Sequence, residues 1–301
     1  MPRKLKVSLR STPSSQGLHD VLQPNRPGSG HVSIRGAPVP VAEPLFEGPK
    51  LNYKFSTPDV RDFKYKTQYK ADIDPEALPK SVDLKEMWGD VLDQGDLGSC
   101  VANAVAGAIR HTRKKNNLTV YDPSRLFIYF FARRLDGTPP TEDAGTFIRS
   151  GFKAVNKHKV CSERNWPYKI SEFSVEPNEN AQKAARQHRT FSYLSLDGTP
   201  EEIKHSLASG YPVVFGTDVY RSFMTKTVAQ TGIVPIPDKQ KEQRLGGHAM
   251  AIVGYDDETK FYHVANSWGA DWGIKGFCMI PYDYIHDTDI TGDFWSARDF
   301  S

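Results

Sequence analysis

Cysteine is scarce in this chain, with three among 301 residues: Cys100, Cys161 and Cys278. An odd, widely spaced trio offers no pairing framework and no metal-ligand spacing, so neither disulfides nor a metal is expected to hold the fold. No cofactor is expected either. Long apolar runs are missing as well. The longest, such as residues 211–215 and 249–253, fall far short of the roughly 20 residues that span a bilayer, so no membrane crossing is expected. Net charge is nearly absent, 39 basic residues standing against 36 acidic ones. Residues 1–50 hold seven Lys or Arg and three Asp or Glu, which leaves 32 against 33 for the rest. A nucleic-acid binder carries a basic stripe on its folded part, so nucleic acid is not an expected partner of this neutral body. The opening Met-Pro-Arg-Lys-Leu-Lys runs into Ser8, Arg10 and Thr12 rather than into an apolar stretch, and no secretory signal is read there. The compartment stays open, with cytoplasm and virus particle both compatible.

What is present is a globular composition: 38% apolar residues, enough for one large or two moderate domains. Residues 1–50 carry eight prolines and five glycines and cannot form a core of their own. They are expected to be extended, and either mobile or laid over the body. Residues 51–69 alternate aromatic and charged side chains and read as a possible edge strand. The body is expected to begin near Leu78-Pro79-Lys80-Ser81, giving an extension over 1–75 and a main domain over 76–301.

Within the body the first half reads as helical. Residues 99–113 follow a glycine turn and set Val101, Val105 and Ile109 at helical spacing among alanines. Asp122 and Pro123 open a helix over 124–135. Another is expected over 144–158 and a short one over 199–209. From about residue 191 the pattern changes to strands at 211–217, 247–255, 261–266 and 276–281. A helical half (76–190) followed by a strand-rich half (191–295) implies an α+β protein of two packed lobes.

Three pieces carry possible chemistry. Cys100 stands after Gly98 and Ser99 at the start of the apolar helix, where unpaired amides and the helix dipole favour a thiolate. His248 and Asn266 each lie nine residues from Asp257. A turn centred there makes them face one another across a hairpin, within a slip of one or two residues. An asparagine carbonyl beside the ring fixes its tautomer without adding charge. Trp268, two residues on, can cover the pair from water, which strengthens that bond. Gln94, six residues before Cys100, can offer a side-chain N–H beside the Cys100 amide, two donors for a developing oxyanion. Taken singly, each has a plainer reading: a small buried hydrophobe, a satisfied strand histidine, a solvated glutamine.

Together they resemble the papain-like cysteine peptidases, the cathepsin family. Gln94 to Cys100 matches the Gln-x-x-x-x-Gly-Ser-Cys setting of its nucleophile, His248 to Tyr255 its His-Ala-x-x-x-Val-Gly-Tyr strand, and Asn266 to Gly276 its Asn-Ser-Trp-Gly-x-x-Trp-Gly-x-x-Gly run. His248 follows Cys100 by 148 residues, within the roughly 130 to 150 of this arrangement. The likeness covers about residues 78–295. It departs at Leu97, where most plant and animal members have a cysteine, and at Val101, where they have a tryptophan. The disulfide anchored at that first position is therefore absent, as in the branch found in bacteria, archaea and large DNA viruses.

The resemblance implies a two-lobed fold, helices on one side and a β-barrel-like lobe on the other, with the site in the cleft between them. It implies Cys100, His248 and Asn266 as catalytic residues and Gln94 with the Cys100 amide as oxyanion hole. Gly98, Ser99, Gly145, Gly247 and Trp268 are the implied substrate-binding positions. Expected partners are protein or peptide substrates and the chain's own amino-terminal segment, as an intramolecular inhibitor of a monomeric zymogen. The rival readings are a transamidase or ligase using the same pair, a catalytically silent binding module, and a packaging protein using its basic arm. Asp283, Asp287, Asp289 and Asp293 match no calcium loop, and Cys161 and Cys278 read as packed thiols.

Overall fold

The computed structural model describes residues 44–69, 73–188 and 191–300. The fold is α+β. Its long helices are Cys100–Lys115, Arg125–Leu135 and Ile148–His158, with a shorter Pro200–Ala208. The Cys100 helix is buried along nearly its whole length, and its run of alanines lets neighbouring elements approach closely. Ser124 caps the second helix by accepting from the Phe127 amide at 3.2 Å, two positions after the expected Asp122 cap. The third helix starts at Ile148, four residues later than the sequence suggests, because Gly145 adopts φ +67° and ends any helical path there.

Seven strands, β1 (Ser81–Asp83), β2 (Phe191–Leu196), β3 (Val213–Tyr220), β4 (Arg244–Asp256), β5 (Phe261–Ala265), β6 (Phe277–Pro281) and β7 (Thr291–Phe300), form one sheet. Its order is β2-β7-β3-β4-β5-β6, with β1 on β4, and the ladders are antiparallel. Among the described residues β2 and β6 do not pair, so the barrel-like lobe expected from the resemblance is an open sheet. β4 is the centre of the molecule and is buried on both faces. Because side chains alternate along a strand, Ala249, Ala251 and Val253 join the core of the helical lobe while Met250 and Ile252 join that of the sheet lobe. Two cores therefore share one strand, and the seam between them runs along it.

The piece over 51–69 is no continuous edge strand. It makes single bridges, Asn52 to Gly247, Lys54 to Phe147 and Lys64 to Ser195, and ends in a short helix, Tyr65–Tyr69. The Pro-rich arm up to residue 43 lies outside the described residues.

Candidate active site

Cys100 is the first residue of its helix, and the backbone amides of Ala249, Val101, Cys100 itself and Asn52 pull its thiol toward the charged form. The helix terminus and these four donors favour a thiolate. Burial wins nonetheless: the side chain has no exposure, and desolvation pushes the thiol up to about 11. Ala249, whose amide acts on the Cys100 thiol, is the residue after His248 in β4.

His248 is equally enclosed. Its Nε2 lies 2.7 Å from Asn266 Oδ1. That oxygen also accepts from the Ser267 amide at 2.8 Å. An oxygen already accepting implies that Nε2 carries the proton, leaving Nδ1 as a bare lone pair. Nδ1 has no hydrogen-bond partner among the described residues. The ring stacks on Trp268, centroids 4.8 Å apart, and burial holds the histidine down at about 4 against the opposing pull of the Asn266 bond. The ladder explains how the pair meets. Pairing runs from Asp256 with Phe261 to Ala251 with Ala265, so the turn is centred at least one residue beyond Asp257 and the register near His248 is shifted by two. His248 therefore reaches Asn266 diagonally, and it is the Trp268 ring that packs face to face with the imidazole.

Gln94 is fully buried, and its amide is oriented from both ends. Ser267 Oγ donates to Oε1 at 2.7 Å, which turns Nε2 toward the Leu97 carbonyl at 2.9 Å and the Lys50 carbonyl at 3.2 Å. Tyr168 adds a brace, donating to the Gln94 carbonyl at 2.8 Å while its hydroxyl lies 2.6 Å from Ser99 Oγ. Ser99 is thus engaged inside the protein. The Gly98 amide is also occupied, donating to Asp143 at 3.0 and 3.2 Å.

Asp143 is the site residue that sequence reading missed. Its carboxylate takes the Gly98 amide, the Tyr129 hydroxyl at 2.6 Å and the Lys50 ammonium at 2.8 Å. It clips the cysteine turn to the loop carrying Gly145, next to the position where the resemblance leads one to look for a disulfide. The buried Arg133 secures the same loop by donating to the carbonyls of Pro140 and Glu142, both at 2.6 Å. A lone Asp in a loop gives no sequence signal of this kind.

The cleft is filled by the chain itself. Phe46 donates its amide to the Met224 carbonyl at 2.6 Å, and its ring lies 5.9 Å from that of Trp268. Asn52 sends its side-chain amide to the Asp143 carbonyl at 2.9 Å. Tyr53 donates its amide to the Gly247 carbonyl at 3.0 Å, and Lys54 donates its own to Thr146 at 3.3 Å. A Cβ on Gly145 would overlap the Asn52 carbonyl, so the glycine is what lets the segment lie this close. The Tyr53 ring enters a pocket over Gly216, where its hydroxyl donates to Asp293 Oδ2 at 3.0 Å. Residues 44–56 thereby bond to both lobes across the seam.

The acidic residues near the end do not converge. Lys239 bridges Asp287 and Asp289, and Asp293 faces Tyr53 and the Trp295 indole. Cys161 and Cys278 are buried free thiols away from these groups. Among the described residues no helix is long and apolar enough to cross a membrane.

Two lobes meeting along a strand, with a helix-terminal cysteine on one side and a histidine-asparagine pair on the other, define a thiol-peptidase class of protein. The family model of the papain family cysteine proteases matches residues 78–295, and the chain belongs to that family. It is 39% identical over 271 residues to an uncharacterized peptidase C1-like protein of Acanthamoeba polyphaga mimivirus, covering 83% of this chain and 86% of that one. Xylellain, a cysteine protease from Xylella fastidiosa, superposes with a TM-score of 0.74 at 34% identity, over 86% of this chain and 99% of that one. Digestive procathepsin L 3 of Tenebrio molitor larval midgut shares the fold with a TM-score of 0.60 at 19% identity, over 75% and 72% of the two chains.

Proposed function

We propose that Cys100 and His248 hydrolyse peptide bonds, and that residues 44–56 hold the full chain latent. In the uncovered site the Cys100 proton passes to His248 Nδ1, and the sulfur adds to a peptide carbonyl carbon. The resulting oxyanion is held by Gln94 Nε2–H and the Cys100 amide. Collapse breaks the C–N bond while His248 returns the proton to the leaving amine. Water, deprotonated by the same ring, then cleaves the thioester to a carboxylate and restores the thiol. Asn266 keeps Nε2 protonated so that Nδ1 is the working nitrogen throughout.

One observation carries this reading: an extended backbone already threads the cleft, with the Lys50 carbonyl accepting from Gln94 Nε2 at 3.2 Å and the Tyr53 amide donating to the Gly247 carbonyl at 3.0 Å. The Lys50 oxygen stands where a substrate oxygen would develop charge. The Asn52 amide is among the backbone groups that favour the Cys100 thiolate, but the closed cleft leaves that thiol fully buried. Its cover also supports latency by favouring the neutral thiol and neutral imidazole over the ion pair.

The test is turnover of a fluorogenic peptide library by the full chain, by a chain whose covering segment has been removed or weakened, and by Cys100→Ala in the same background. We expect low turnover in the first, high turnover in the second and none in the third. Undiminished hydrolysis by Cys100→Ala would remove the catalytic assignment. Amide transfer to an added amine in preference to hydrolysis would replace a peptidase by a transamidase.

A further inference from the structure

Three helices of the helical lobe form the sides of a second cavity, and none of the residues lining it belongs to the site above. Its volume is about 170 Å³, more than ten times the roughly 10–15 Å³ that admits one water. The Arg125–Leu135 helix supplies the floor, with Phe127 and Phe131 one turn apart and their ring centroids 4.8 Å from each other. The His158 ring extends this floor by stacking on Phe131 at 4.2 Å. The walls are cationic. Lys157 and Lys159 come from the end of the Ile148–His158 helix, and Arg186 from the end of Glu179–Ala185. Among the described residues no carboxylate lines the cavity.

These charges exceed what the helices themselves call for. Two helix C-termini together amount to at most about −1, whereas Lys157, Lys159 and Arg186 bring three permanent positive charges. Lys157 and Arg186 are exposed and pair with no acid among the described residues. Lys159 donates to the Asn156 carbonyl at 3.0 Å, which satisfies an open helical carbonyl without neutralising the ammonium. Glu176, whose charge reaches His158, is already bonded to Arg134 at 2.8 Å. Burial first, and then the charges of Lys157 and Arg134, hold the His158 imidazole below its ordinary value.

Lys159 also stands in a backbone conformation that opposes it. Its φ of +62° and ψ of −167° lie in a region that is essentially glycine's own. A glycine would end the helix there without strain. The chain keeps a lysine instead, and what the lysine adds is a cation on the cavity wall. Strain of this kind is characteristic of residues that clamp a ligand.

We propose that this cavity binds a small phosphate monoester, its phosphate held among Lys157, Lys159 and Arg186 and an aromatic organic part resting on Phe127, Phe131 and His158. A phosphate dianion suits these walls because it meets three cations, and a guanidinium can take two of its oxygens at once. The apolar floor and the volume call for the organic part as well, since inorganic phosphate alone would leave the rings uncovered. Binding involves no covalent step and stands apart from the peptidase reading.

The test is calorimetric titration of the full chain, in the Cys100→Ala background, with AMP, phenyl phosphate, adenosine and inorganic phosphate. We expect at least one of the two esters to bind about tenfold or more tightly than adenosine and inorganic phosphate, and to lose about tenfold or more in affinity when Lys157→Gln and Arg186→Gln are combined. AMP against phenyl phosphate tells a nucleotide from a simpler aromatic ester; binding of either supports the proposal, and binding of neither overturns it. Lys159→Gly separates charge from strain. It should resist urea better than the parent chain yet bind the ester about threefold or more weakly, so that the loss cannot be ascribed to unfolding. Unchanged affinity in Lys159→Gly or in the double variant would overturn the proposal. So would adenosine or inorganic phosphate binding as tightly as the esters.

Discussion

The Ser267 hydroxyl donates to Oε1 of Gln94 at 2.7 Å, and this single bond decides which end of the glutamine amide faces the cleft. In the proposed oxyanion role of Gln94, a reversed amide would present an oxygen to the developing charge and repel it. Ser267 comes from the segment after β5 and Gln94 from the turn before the Cys100 helix, so the bond also ties the two lobes together at the site. The Gln94 amide, which donates to the Ser267 carbonyl at 2.8 Å, repeats the tie in the backbone.

Gln94→Ala is expected to lower kcat by about 10² to 10³, the usual loss for a missing oxyanion donor. Ser267→Ala keeps the donor but frees its rotation, and should cost about tenfold in kcat, the worth of one net hydrogen bond of about 1.4 kcal/mol. KM should move little in either, since the bond acts on charge that develops during reaction. Steady-state kinetics on the uncovered enzyme checks both, and a pure KM effect for Ser267→Ala would contradict the orienting role.

Much of this arrangement is legible in the sequence because it is local. The turn before Cys100, the strand after His248 and the run after Asn266 each place their residues within a few positions of a fixed element. What is not legible depends on contacts between distant parts. Asp143 acquires its role only when Gly98, Tyr129 and Lys50 gather around it. β7 hides behind charged residues, because Arg298 is buried among the rings of Tyr65, Tyr69 and Tyr211 instead of marking a loop. The hairpin register lies two residues from its simplest reading, since the turn is displaced and irregular pairing between Ile252 and Gly254 takes back only one residue of that shift. The family's likeness reaches the catalytic body, whereas the covering segment lies ahead of the matched residues 78–295.

Tyr53 is the anchor of that segment. Its ring is buried over Gly216, and its hydroxyl donates to Asp293, which also accepts from the Ser56 amide at 3.3 Å. Tyr53→Phe removes one bond to a charged acceptor, about 1.5–3 kcal/mol, and should speed Cys100 alkylation in the full chain about tenfold to a hundredfold. Tyr53→Ala removes the ring as well, about 3–5 kcal/mol for a buried aromatic, and should open the site further. Equal labelling rates in wild type and Tyr53→Ala would mean that the cover is held elsewhere.

Cys100 alkylation should also report the cover through its pH dependence. With the thiol pushed up to about 11 by burial, only about one molecule in a thousand is thiolate at pH 8. The labelling rate of the full chain should climb about tenfold per pH unit between pH 7 and 10. After the segment leaves, water returns, the helix terminus and the neighbouring amides act without that desolvation, and His248 can hold a proton beside the sulfur. The rate should then level off at a much lower pH. An identical profile before and after opening would show that burial by residues 44–56 does not set the thiol's state.

His248 and His111 together predict how the closed chain responds to acid. Burial lowers both from 6.5 to about 4, and at His111 the nearby Lys115, Lys114 and Arg110 add to the effect. Protons therefore bind the unfolded chain first. The stability from keeping these rings neutral is fully present above pH 6.5 and is lost as pH falls through about 4. Each ring contributes up to about 3 kcal/mol at neutral pH. His111 Nε2 lies 3.0 Å from the Gly210 carbonyl, and His111→Gln retains a donor there without a proton-binding site. The variant should lose about half of the stability change between pH 6.5 and 4, measured by urea unfolding at a series of pH values in the Cys100→Ala background. A slope as steep as that of the unsubstituted chain would show that other groups drive acid unfolding.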